Sequence, residues 1–137
     1  MSEYGIIGAT GTATTICDNT NTAKVLRSGA LDVYATPAMV ALMEEAACNA
    51  LTISSGFSGS SSVGIEMSIK HLAATSLGRS VTATATITSI KKTIVRFDVR
   101  AQDSTGSAIG TGTHARAIVE VENFMRTAVE KKDSGKL

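Results

Sequence analysis

From residue 63 onward apolar and polar residues alternate, the period of a strand with one face on a core. Val63, Ile65, Met67, Ile69 and His71 fall on one face, and Gly64, Glu66, Ser68 and Lys70 on the other. Val81, Ala83, Ala85 and Ile87 alternate with four threonines, and Val95, Phe97, Val99 and Ala101 with Arg96, Asp98 and Arg100. A last strand over 107–121 sets Ala115, Ala117, Val119 and Val121 on its apolar side. Turn residues separate these strands: Gly78-Arg79, Lys91-Lys92 and Asp103-Ser104-Thr105-Gly106. Connections this short predict antiparallel pairing, hence a four-strand meander.

Upstream the period changes. Residues 36–53, TPAMVALMEEAACNALTI, are rich in helix formers with no glycine. Thr36 suits the N-cap, Pro37 the first helical position, and Ser54-Ser55-Gly56 the stop. Nearly the whole circumference is apolar or small, so this helix is expected to be wrapped by other structure. A weak strand over 5–17, a turn over 18–22 and an irregular connection over 23–34 precede it. Residues 54–64 read as a flexible loop carrying Phe57, and residues 122–132 as a short terminal helix fraying from about 126. The sum is an α+β domain spanning 1–137, an antiparallel sheet curled around one long central helix. One sheet on one helix leaves apolar surface over, which predicts a dimer.

Length and charge then narrow the function classes. At 137 residues there is room for one core. A formal charge of +1 with interspersed signs argues against a phosphate-backbone reader, and 4% aromatic residues against a single-strand stacking platform. Two cysteines, Cys17 and Cys48, make no disulfide framework. No signal peptide is evident, and no apolar run approaches the ~20 residues that span a bilayer, so a cytoplasmic protein is expected. No P-loop, dinucleotide fingerprint, zinc spacing or nucleophile elbow occurs, so no metal or other cofactor is expected.

Glu44 and Glu45 interrupt the apolar helix. The neighbours of Glu44 one or two turns away are Pro37, Val40, Ala41, Ala47, Cys48 and Leu51, whereas Glu45 shares its side with Asn49 and Thr52. Glu44 is therefore the inward acid. It is either a buried glutamate bonded to a hydroxyl or water, or a base or nucleophile tuned by burial. His71 ends an apolar strand face and points toward the helix, as a core histidine or a proton carrier. Thr36 serves as a cap, Gly64 permits close backbone approach or eases a junction, and Arg116 with His114 lies either on a solvated strand face or at a cleft.

Three blocks, VYATPAMVALMEEAAC (33–48), IKHLAATSLG (69–78) and IGTGTHARAIV (109–119), stand in the order found in hotdog-fold thioesterases. The chain resembles the fluoroacetyl-CoA thioesterase group over about residues 33–125. That resemblance implies a hotdog fold and a homodimer or dimer of dimers. It also implies catalytic Thr36, Glu44 and His71, substrate-contacting Gly64 and Arg116, and hydrolysis of a short acyl-CoA without metal. Non-catalytic acyl-CoA binding and hotdog hydratase or dehydratase chemistry stand as alternatives. Selectivity for a fluorinated acyl group does not follow.

Overall fold

The computed structural model describes residues 3–53 and 59–130. Its elements run β1 (Thr10–Ile16), α1 (Ala23–Leu26), α2 (Thr36–Ala50), β2 (Ser60–His71), β3 (Ser80–Lys91), β4 (Ile94–Asp103), β5 (Ala108–Glu120) and α3 (Val121–Glu130). The strands form one antiparallel sheet in the order β1-β3-β4-β5-β2. The expected α+β architecture, a curled sheet on one helix, is the observed one.

The core is the meeting of two predicted faces. Met39, Leu42, Met43, Ala46, Ala47 and Ala50 of α2 are buried against Val81, Ala83, Ala85 and Ile87 of β3 and Val95, Phe97, Val99 and Ala101 of β4. Three alanines on the buried face of α2 let the sheet come close. At Gly11 on β1 a side chain would run into the Ala46 carbonyl and the Ala50 amide.

The meander is only partly right. Strands β3, β4 and β5 are joined by hairpins, but β2 pairs with β5 at the far edge rather than with β3. Three strand spacings of about 4.8 Å, roughly 14 Å in all, separate β2 from β3. Residues 72–79 span that gap with room to spare, since eight residues reach ~26 Å extended. They are held on the way: Tyr34 N donates to Thr75 O, and Val33 bridges to Ser76. The short connection crosses the sheet and then turns at Leu77-Gly78, where Arg79 N donates to Ser76 O and Gly78 has φ 88°.

Several boundaries also move. Helix α2 ends at Ala50, not residue 53. Its N-cap is Ala35, without a side-chain cap bond, so Thr36 is inside the helix and is not its cap. The connection over 23–34 contains α1, one turn capped by Thr22, whose Oγ1 accepts from Val25 N, and ended by Arg27 at φ 60°. Strand β2 begins at Ser60, within the stretch read as loop; Ser62 is buried because its strand pairs with β5. The terminal helix expected over 122–132 is α3, described from Val121 through Glu130. Phe57, the helix stop at 54–56 and residues 131–137 lie outside the described residues. No described helix is long and apolar enough to cross a membrane.

Candidate active site

A bulge in β2 arranges the site. Its register against β5 shifts between Gly64 and Glu66, leaving Ile65 without a partner. The extra residue exchanges the two faces of the strand. Beyond the bulge Met67 pairs with His114, and before it Gly64 pairs with Arg116. Cross-strand partners point to the same side, so Gly64 shares the helix-facing side with Met67 and His71. Unbroken alternation had set Gly64 opposite them.

Strand β5 departs from its pattern in the same region. His114 lies opposite Phe97 and Arg116 opposite Val95, both core residues of β4, while Ala115 lies opposite Arg96. His114 and Arg116 therefore face α2, at 2% and 7% exposure. The solvated-face reading of this pair is overturned: the inner face here is polar, which inverts a count of apolar residues.

Arg116 is held by its whole guanidinium. Nε donates to Ser62 Oγ at 2.9 Å, Nη2 to Ser62 O at 3.2 Å, and Nη1 to Glu44 Oε2 at 3.0 Å. Glu44 is the inward acid of α2, as expected, but its side chain is 38% exposed and its neighbour is a cation rather than an apolar wall or a hydroxyl. Nothing larger than hydrogen fits between it and the strand, because a Cβ on Gly64 would overlap Oε2. The glycine thus admits the carboxylate.

A second group sits at the start of α2. Thr36 Oγ1 and His71 Nδ1 are 2.7 Å apart. Burial pushes the His71 imidazole below its usual range. Its Nε2 is buried with no partner among the described residues. The cleft beside the pair is lined by Val33, Tyr34, Leu72 and Ala73. Within one chain no hydrogen bond joins Thr36 or His71 to Glu44 among the described residues. Eight residues along α2 separate Thr36 from Glu44, a rise of ~12 Å.

The five residues singled out in the sequence therefore form two clusters, Thr36–His71 and Gly64–Glu44–Arg116. Sequence reasoning missed Ser62 and gave His114 no role. The signal for His114 was its register with the core residue Phe97, whose ring it stacks against at 5.7 Å. Among the described residues no group of three His, Cys, Asp or Glu gathers as metal ligands.

The sequence pattern of the fluoroacetyl-CoA-specific thioesterase family matches residues 17–122. The chain belongs to that family. The match reaches back past residue 33 and takes in both clusters. The fluoroacetyl-CoA thioesterase of Streptantibioticus cattleyicolor is 36% identical over 104 residues, 76% of this chain and 73% of that protein. A solved structure of a fluoroacetyl-CoA thioesterase superposes with TM-score 0.83 at 30% identity, covering 93% of this chain and 97% of its own. A thioesterase superfamily member from Thermus thermophilus superposes with TM-score 0.80 at 26% identity, over 92% and 94% of the two chains. A hot-dog-like protein from Thermanaerovibrio acidaminovorans does so at 25% identity, over 93% of each chain, also with TM-score 0.80. The hotdog fold expected from the motifs is the family's fold.

Proposed function

We propose that this chain, acting as a single unit, hydrolyses a short-chain acyl-CoA thioester to the free acid and CoA. In this reading it works in the cytoplasm as a homodimer or dimer of dimers, without metal or organic cofactor. The observation that carries it is Glu44, a carboxylate fixed by Arg116 against Gly64 in a chain of the thioesterase family. Binding alone does not require an inward acid.

In the chemistry proposed, a Glu44 oxygen attacks the thioester carbonyl, or takes a proton from the water that does. The tetrahedral oxyanion is stabilised by hydrogen-bond donors and collapses with loss of the CoA sulfur, which takes a proton from His71; the histidine regains a proton from the water consumed, directly or by way of Glu44. If Glu44 attacked, water then cleaves the resulting anhydride and restores the carboxylate. Thr36 orients His71 through the Oγ1–Nδ1 bond. Gly64 and Arg116 border the acyl group beside Glu44.

The separation of the clusters supports a composite site. Strand β2, which carries Gly64 and His71, is an edge of the sheet in the single chain. The buried Nε2 of His71 has no described partner. A second copy that brings its Thr36–His71 pair to this Glu44 completes the set. To test this, Glu44→Ala and Thr36→Ala proteins are mixed under verified subunit exchange, with CoA release followed by a thiol reagent over a panel of acyl-CoAs. Each parent should be impaired and the mixture should recover activity. An inactive mixture would refute the composite site, and wild-type protein releasing no CoA from any acyl-CoA would refute the hydrolase. In a single turnover in H₂¹⁸O, ¹⁸O appearing in the Glu44 carboxylate would identify attack by Glu44, through water cleaving the anhydride at the glutamyl carbonyl.

A further inference from the structure

His114 is buried, has no part in the chemistry above, and is wired directly to it. Its Nδ1 lies 2.8 Å from the Glu66 carbonyl oxygen and its Nε2 3.2 Å from Arg116 Nη1. These partners dictate the protonation state. A carbonyl oxygen only accepts, so Nδ1 carries a hydrogen; a guanidinium only donates, so Nε2 presents its lone pair. The ring is therefore neutral and in one tautomer. Arg116 Nη1 has two hydrogens, and its two partners are His114 Nε2 and Glu44 Oε2.

We infer that His114 is a positioning residue for the carboxylate. As a neutral acceptor it holds Arg116 in the one orientation that presents Nη1 to Glu44, and protonating it dismantles that arrangement. The inference rests on the hydrolase reading for its effect on rate, but not for its geometry. The bulge supplies the other anchor: where the β2–β5 ladder breaks, the Glu66 carbonyl accepts from a side chain. Phe97 of β4 backs the ring at 5.7 Å.

The charged groups facing the imidazole are Arg116 on its own strand and Glu44 of α2, whose Oε2 is 3.9 Å from Nε2. The Glu66 side chain pairs with Arg96, whose register with Ala115 puts it on the outer face. Burial, reinforced by Arg116, pushes the imidazole below its usual range, against the pull of the Glu66 carbonyl bond and of Glu44. An imidazolium would turn the acceptor at Nε2 into a donor aimed at another donor. Arg116 would lose one anchor, and Glu44 would be offered two competing cations.

The test compares His114→Phe, which fills the space without an acceptor, with His114→Gln, whose amide oxygen can accept from Arg116 and which does not titrate. His114→Phe should lower kcat by ~10- to 10²-fold, the scale of a small displacement at a reacting group, with KM within about threefold. His114→Gln should restore most of kcat at pH 7.5 and move the acid limb of the kcat profile to lower pH. In the Arg116→Lys background, His114→Phe should cost little more, because its effect passes through the guanidinium. Unchanged kcat in His114→Phe, failure of Gln to rescue, or additive losses would each overturn the inference. If His114→Phe does not fold, the Gln profile and imidazole ¹⁵N shifts decide. The shifts should report an Nδ1–H tautomer at pH 7 that persists below pH 6.5. An Nε2–H tautomer or an imidazolium at pH 7 would overturn the inference whatever the activity, whereas wild-type protein without hydrolysis would sink the hydrolase reading alone.

Discussion

Replacing Gly64 by alanine isolates the fit between strand and carboxylate. The new methyl would overlap Glu44 Oε2 and lie 3.4 Å from Arg116 Nη1. To reach ordinary contact the oxygen must retreat by about 1 Å, since non-bonded heavy atoms settle near 3.5–4.0 Å. That stretches the Nη1–Oε2 bond from 3.0 Å to roughly 4 Å, beyond hydrogen-bonding range. A 1 Å misplacement of a catalytic group costs ~10²-fold in rate, or ~2.7 kcal/mol of barrier. The fold should suffer little, because what moves is the half-exposed end of one side chain. A charged hydrogen bond is worth about 1.5–3 kcal/mol when buried, and solvent reduces that here. We expect kcat to fall about 10²-fold while the melting temperature stays within about 5 °C of wild type. Thiol release and thermal melts measure the two. A control is Ala85→Val, which adds two methyl groups at a fully buried position of β3 that belongs to neither cluster. It should lower stability by ~1–3 kcal/mol through overpacking and leave kcat of the folded protein nearly unchanged. If Gly64 only contacts substrate, its alanine variant will raise KM and keep kcat. A kcat above a third of wild type would refute the reasoning.

Other expectations are more direct. Glu44→Ala and His71→Ala should each reduce turnover by ~10²-fold or more, as for lost acid–base catalysis; either retaining full turnover in the thiol assay would remove that residue from the mechanism. Both histidines have folded-state pKa values below the ordinary ~6.5. The unfolded chain therefore binds more protons just below that pH, and stability is full above ~6.5 and declines as pH falls through the lowered values. Asp18 and Asp103, also lowered, act only below their ordinary 3.8. A melting temperature independent of pH between 5 and 7 would contradict this. Light scattering should give a dimer or a dimer of dimers, and exhaustive EDTA should leave activity intact; a concentration-independent monomer, or loss restored by zinc, would contradict the respective expectation.

How far the sequence revealed this arrangement depended on which signal each element carried. The apolar alternation of β3 and β4 and the composition of α2 were legible, because packing alone determines those residues. Glu44 could be distinguished from Glu45 by its neighbours along the helix. The motif blocks contained Thr36, His71 and Arg116, and the family resemblance added Gly64. Their grouping was hidden for two reasons. One inserted residue at Ile65 reverses which side of β2 the preceding residues occupy, and a bulge leaves little trace in composition. On β5 a histidine and an arginine occupy core-facing positions because they satisfy each other, Ser62 and Glu44. Apolar periodicity is blind to a polar network that has its own partners. Thr36 misled differently: next to a proline a hydroxyl suggests a cap, but His71 claims it from another strand.

Placing β2 at the far side of the sheet has a consequence for how the chain is made. Glu66 waits 48 residues for His114, and Glu44 waits 72 for Arg116. At ~5–20 residues per second of synthesis, the latter interval is about 4 to 14 s. In its later part α2 and β2 have both been translated while the strand that unites them has not. A nascent chain paused before β5 thus exposes an unpaired edge and a carboxylate without its cation, and pairings so distant in sequence close slowly. The centre is assembled last, by the strand that also completes the sheet.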